Sequence, residues 1–159
     1  METERLPAIL GFAIMMAFMS SGAVAGSATE KASVENPWIR SAPPMAKIMA
    51  GYWIIHNHSP QPITLTGVTS PAFKDVEIHR TEIMEGMAHM TPVAELQIAG
   101  HGSATFEPNG YHLMLIDPKK TLTRGDKVPL TLKFGDDITL EIEAEIRDGP
   151  NSHSHHHHH

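Results

Sequence analysis

Apolar and polar residues alternate strictly in the last third of the chain. Val128, Leu130, Leu132 and Phe134 are separated by Pro129, Thr131 and Lys133; Ile138, Leu140, Ile142, Ala144 and Ile146 are separated by Thr139, Glu141, Glu143 and Glu145. A period of two puts one set of side chains on each face of an extended chain, so both stretches predict strands with one buried and one wet face. Gly135-Asp136-Asp137 reads as the turn between them. Upstream, shorter patterns predict strands at Ile48–His56, Ile63–Val68, Lys74–Ile83, Met87–Val93, Glu95–Ile98, Ala104–Glu107 and Tyr111–Ile116. Turn signals at Ser59-Pro60, Ser70-Pro71, Pro108-Asn109-Gly110 and Arg124-Gly125-Asp126 fall between them. No stretch carries a helical period. Short strands about ten residues apart predict an all-β fold, an antiparallel Greek-key β-sandwich or barrel.

The N-terminus follows a different pattern. A polar start, Met1 to Arg5, precedes an apolar run of 14 residues from Leu6 to Met19, and small residues then end in Ala23-Val24-Ala25. This reads as a signal peptide over 1–25, cleaved near Ala25. A retained membrane anchor is the alternative, but the run is short of the ~20 residues a spanning helix needs. Residues 26–33 are small and polar and read as a disordered leader; 34–148 form the β-domain, and 149–159 a flexible His-rich tail. The expected location is the periplasm.

The chain has no cysteine. That excludes disulfides, thiolate metal sites and lipid attachment through an N-terminal cysteine. The formal charge of −6 becomes −5 once Glu2, Glu4 and Arg5 leave with the signal peptide. A mildly acidic domain without a basic stripe predicts no nucleic-acid partner.

Candidate chemistry lies in methionine and histidine. Six of the ten methionines lie beyond the signal segment, and four of those six cluster with histidine: Met84, Met87 and Met90 near His79 and His89, and Met114 beside His112. If Tyr111, Leu113 and Leu115 face a core, His112 and Met114 share the other face. If Lys74 to Val93 is a hairpin turning at Glu85-Gly86, His79 lies opposite Pro92 and Met90 is its diagonal neighbour on the same face. His79, Met90, His112 and Met114 then form an outward-facing set of two imidazoles and two thioethers. Thioethers select copper(I) over zinc, magnesium or calcium, and the neutral donors suit a monovalent ion. Copper(II) and silver(I) are alternative occupants. Histidine must be deprotonated to bind, so copper(I) affinity is expected to weaken below about pH 6. Met84, Met87 and His89 fall on the opposite face and read as hairpin surface or secondary ligands; His56 and His58 read as strand-end surface, and His101 as an exposed loop residue.

His79, ten residues, Met90, twenty-one residues, then His112-x-Met114 resembles the signature of the PCu(A)C family of periplasmic copper chaperones. Trp38-Ile39-Arg40 followed by Ala42-Pro43-Pro44, the Gly51-Tyr52 strand and Gly110-Tyr111-His112-Leu113-Met114 are similar too, and the likeness runs from about Val34 to Arg147. The resemblance implies a cupredoxin-like β-sandwich that binds copper(I) through the four motif residues. It also implies delivery to a respiratory oxidase subunit, chiefly the binuclear CuA centre of cytochrome c oxidase, or hand-off to another periplasmic copper carrier.

A sequestration or resistance protein with the same site is the rival function. An enzyme is not expected. A blue-copper carrier needs a cysteine ligand, and the chain carries no nucleophile, phosphate-loop or zinc-hydrolase motif, nor any pointer to a small-molecule substrate. In the tail, His153 and His155, His156, His157, His158 and His159 form an imidazole cluster suited to copper(II). It reads as native, a purification tag being the alternative.

Overall fold

The computed structural model describes residues 31–135 and 138–149. The signal segment, most of the leader, Asp136 and Asp137 of the last turn, and the tail histidines lie outside the described residues. Ten strands follow one another: β1 (Ala32–Arg40), β2 (Ile48–Asn57), β3 (Ile63–Thr69), β4 (Phe73–Met84), β5 (Met87–Pro92), β6 (Leu96–Ile98), β7 (Ser103–Phe106), β8 (Tyr111–Pro118), β9 (Lys127–Phe134) and β10 (Ile138–Arg147). They form one sheet in the order β5-β4-β8-β7-β2-β1-β10-β9-β3-β6, with β8 also pairing β2 directly. The sheet folds over on itself, so residues from both halves share one core: Ile78, Leu113 and Leu115 on one side, Leu65, Leu130 and Leu132 on the other. The expected all-β architecture is the one observed.

Two features depart from the expected pattern. First, pairing is antiparallel except between β1 and β10, parallel from Trp38↔Glu145 to Arg40↔Arg147, and between β7 and β8, which meet at Phe106↔Tyr111. Second, β1 was not among the expected strands, and it begins at Ala32, within the 26–33 stretch expected to be leader. Ala32 is buried and pairs with Asn57, while Ser33 pairs with His56. A register shift between Glu35 and Trp38 hides this strand from a period-two reading. Asn36 there has φ of 48°, and Pro37 has no N–H to give a ladder. An irregularity of this kind swaps the faces of everything beyond it.

The core fixes the strands that matter for chemistry. Leu113 and Leu115 of β8 are fully buried, and across the β4 ladder Leu113 pairs with Ile78 and Leu115 with Val76. Each such side chain stabilises the fold by about 1.5–3 kcal/mol when buried. On the other side β2 crosses closely at Gly51, where an added Cβ would lie 3.1 Å from Leu115 and 3.3 Å from Leu113. The alternate residues of β4 and β8 are thereby held on the reverse face in a set register.

Candidate metal centre

On that reverse face, His79 of β4 and His112 of β8 are direct cross-strand partners, their ring centroids 6.1 Å apart. Glu77 lies opposite Met114 one step along the same ladder. The β4–β5 hairpin has the expected register, with His79 opposite Pro92 and Thr81 opposite Met90. His79 is therefore the hub: His112 is directly across from it, and Met90 and Met114 are its diagonal neighbours on opposite sides. Diagonal neighbours lie within reach of long side chains.

The sequence suggested a uniformly open face. The structure instead grades it by depth: His112 is 6% exposed, His79 and Met114 are half-buried, and Met90 is 54% exposed. Met84, Met87 and His89 fall on the other face of the hairpin, as their register predicts.

Hydrogen bonds fix which imidazole nitrogens are free. His79 Nε2 lies 2.7 Å from a Glu77 carboxylate oxygen, and His112 Nδ1 lies 3.1 Å from the Gly110 carbonyl. A carboxylate and a carbonyl only accept, so Nε2–H of His79 and Nδ1–H of His112 are the donors. In the neutral rings the lone pairs are then on His79 Nδ1 and His112 Nε2. His79 Nδ1 is buried and has no hydrogen-bond partner. A buried, unsatisfied acceptor costs about 1–3 kcal/mol and is relieved by a cation. Metal-binding histidines characteristically give their second N–H to a carboxylate or carbonyl in this way.

Sequence reasoning missed Glu77. Its signal was present, because it stands two residues before His79 and so shares its face. It brings a carboxylate beside an otherwise neutral donor set, bonded to the histidine. Among the described residues no three His, Cys, Asp or Glu side chains form a group able to hold a metal. The further candidate donors on this face are the thioethers of Met90 and Met114, which are soft.

Comparison with known proteins follows the same lines. The family described as "Putative lipoprotein LpqE-like" matches residues 32–146, from the first residue of β1 almost to the end of β10. A relative named "Putative lipoprotein Lxx21020", from Leifsonia xyli subsp. xyli (strain CTCB07), is 24% identical over 130 residues, spanning 81% of this chain and 77% of its own length. Among solved structures, apo-DR1885 from Deinococcus radiodurans is 30% identical with a TM-score of 0.60, over 94% of this chain and 98% of that one. CuI-DR1885 is likewise 30% identical, with a TM-score of 0.61 over 82% and 87% of the two chains. The copper-bound PCuAC domain from PmoF2 shares the fold, with a TM-score of 0.63 at 24% identity over 75% of this chain and 94% of that one.

Proposed function

The chain belongs to the LpqE-like family of PCuAC-type domains, and on that premise we propose that it is an exported copper(I) carrier. It holds one ion through His79, Met90, His112 and Met114 and passes it to a copper-accepting partner, of which a respiratory oxidase subunit is the first candidate.

The observation that carries the reading is the buried, partnerless Nδ1 of His79, in a ring directly across from His112 on a ladder flanked by two thioethers. Two imidazoles and two thioethers make a soft, neutral set for a monovalent ion. Thioethers also persist in an oxidising compartment where free thiols do not. The name of the Leifsonia relative, a lipoprotein, supports export. The sequence has no cysteine, so the export reading is carried here by the apolar N-terminal run from Leu6 to Met19.

Transfer follows from the gradient of depth. Met90 is the most exposed donor and β5 the edge strand, so an incoming ligand replaces Met90 first. His112, the most buried donor, is replaced last. The partner's tighter site drives release. Each incoming ligand's bond to the ion replaces one that breaks, and the ion leaves in the oxidation state in which it came, so the reading contains no covalent step and no substrate beyond the ion. The tail histidines are proposed to capture copper(II), which imidazole clusters favour.

The test is a copper(I) competition titration with a chromogenic chelator under reducing conditions, on the intact mature chain and its His112→Ala and Met114→Ala variants. One tight equivalent, weakened at least about tenfold in either variant, supports the carrier. No tight equivalent, or no effect of either substitution, sinks it. Growth of a deletion strain then separates delivery from sequestration: lost oxidase activity at low copper marks delivery, and copper sensitivity marks sequestration.

A further inference from the structure

Six large apolar side chains are exposed among the described residues: Met45, Ile48, Ile83, Met84, Met87 and Met90. Four of the six sit on the β4–β5 hairpin, and three of these are methionine. Contact with the core does not explain them, because β5 is exposed along its whole length. Met90 belongs to the row of His79. Met84 and Met87 do not.

Met84 and Met87 are direct cross-strand partners on either side of Glu85-Gly86. Those two residues have φ of 53° and 78°, the paired left-handed conformations of a tight two-residue hairpin turn. The turn holds the two thioethers on one face as a directly opposite pair, about 4.5–5.5 Å between Cβ atoms. The next pair on that face is Glu82↔His89. Glu82 is engaged by Arg80 at 3.1 Å, which leaves the imidazole of His89 as the third donor.

We propose that Met84, Met87 and His89 form a second soft-metal site at the hairpin tip, taking copper(I) or silver(I). Two thioethers and one imidazole exclude hard divalent ions for the reason given above for the first site. Exposure makes this site the weaker and the more quickly filled of the two. His89 and Met90 are consecutive, so the two sites lie back to back on one edge strand, with no further strand beyond it among the described residues. An ion caught at the tip reaches the row of His79 by passing around that edge. The tip site itself needs only a soft metal, and the passage of its ion to the row of His79 rests on the carrier reading.

The experiment uses the full mature chain with methionine methyl groups labelled with ¹³C, titrated with silver(I) as a diamagnetic probe of fixed oxidation state. The Met84 and Met87 methyl resonances are expected to move together, at a midpoint at least about tenfold weaker than those of Met90 and Met114. His89→Ala weakens the Met84 and Met87 response about tenfold further, and leaves Met90 and Met114 unchanged. Met84→Leu with Met87→Leu removes the weak phase alone, and at exposed positions these near-isosteric changes leave the fold intact. Met84 and Met87 resonances that stay still, or that respond identically in His89→Ala, overturn the site. Movement of Met84 and Met87 without Met90 and Met114 supports the tip while overturning the carrier's ligand set.

Discussion

His79 and His112 face each other directly across β4 and β8, and each ring has one nitrogen held by a fixed acceptor, Glu77 for the first and Gly110 for the second. The Gly110 carbonyl is part of the backbone and cannot be changed by substitution. The Glu77 carboxylate can.

Glu77→Ala removes the group that keeps the proton on His79 Nε2. The ring is then free to change tautomer or turn, and the lone pair is no longer confined to Nδ1. Copper(I) affinity is expected to fall about 10–100-fold, the usual effect of losing such a partner, with Glu77→Gln recovering part of the loss. The ¹⁵N shifts of the His79 ring in the metal-free protein provide a second readout. An Nδ1 lone pair that persists in Glu77→Ala would show that the carboxylate does not position the ring.

A stability prediction concerns the other end of β2. Asn57 is 2% exposed, and its side-chain amide shares its two hydrogens among the carbonyls of Gln61, Ile98 and Ala99 while its oxygen accepts from Ser59 N–H and Oγ–H. One side chain thus ties the β2–β3 connection to the loop after β6. Asn57→Ala strands several buried polar groups and is expected to destabilise the fold by about 3 kcal/mol. Gly100 reports on the same junction, since a Cβ there would lie 2.0 Å from the Pro60 carbonyl oxygen, and Gly100→Ala should destabilise too. Denaturant midpoints check both, while copper(I) affinity measured well below the unfolding transition should not change.

Removal of residues 150–159 separates the two oxidation states. The truncated chain should keep its copper(I) affinity, because His79, Met90, His112 and Met114 all lie in the β-domain. It should bind fewer copper(II) ions, counted by equilibrium dialysis. Equal copper(II) uptake with and without the tail would end the idea that the tail captures that ion.

Local rules made much of this legible from sequence. Leu113 and Leu115 alternate with His112 and Met114, so the core face of β8 dictates the donor face. The turn at Glu85-Gly86 sets the register that brings Met90 diagonal to His79, because a two-residue hairpin leaves no other pairing. The pairing of His79 with His112 was not legible in the same way. Their strands are separated by β5, β6 and β7, and the packing of the whole core, with Ile78 against Leu113, sets their relative register. The strand β1 was hidden by its irregularity at Asn36-Pro37. The burial of His112 was hidden because alternation tells which face a residue takes but not what covers that face.

On the proposed ligand set, depth should also rank the donors kinetically. Met90 is exposed on an edge strand, whereas Met114 is half-buried between β4 and β2. Leucine keeps the volume of either side chain and deletes the thioether, so Met90→Leu should change stability by less than about 0.5 kcal/mol and Met114→Leu by less than about 1.5 kcal/mol. Without Met90, the donor that an acceptor's ligand must displace first is already gone, and copper(I) should transfer to a chelator about tenfold faster. Without Met114, the entry route is unchanged but the sheltered bond is lost. The main effect should then be on equilibrium affinity, at about a hundredfold. Stopped-flow transfer and competition titration on both variants compare the two quantities. Equal ratios of rate to affinity change in the two variants would mean that exposure does not order the exchange, and that copper leaves by some route other than the open edge of β5.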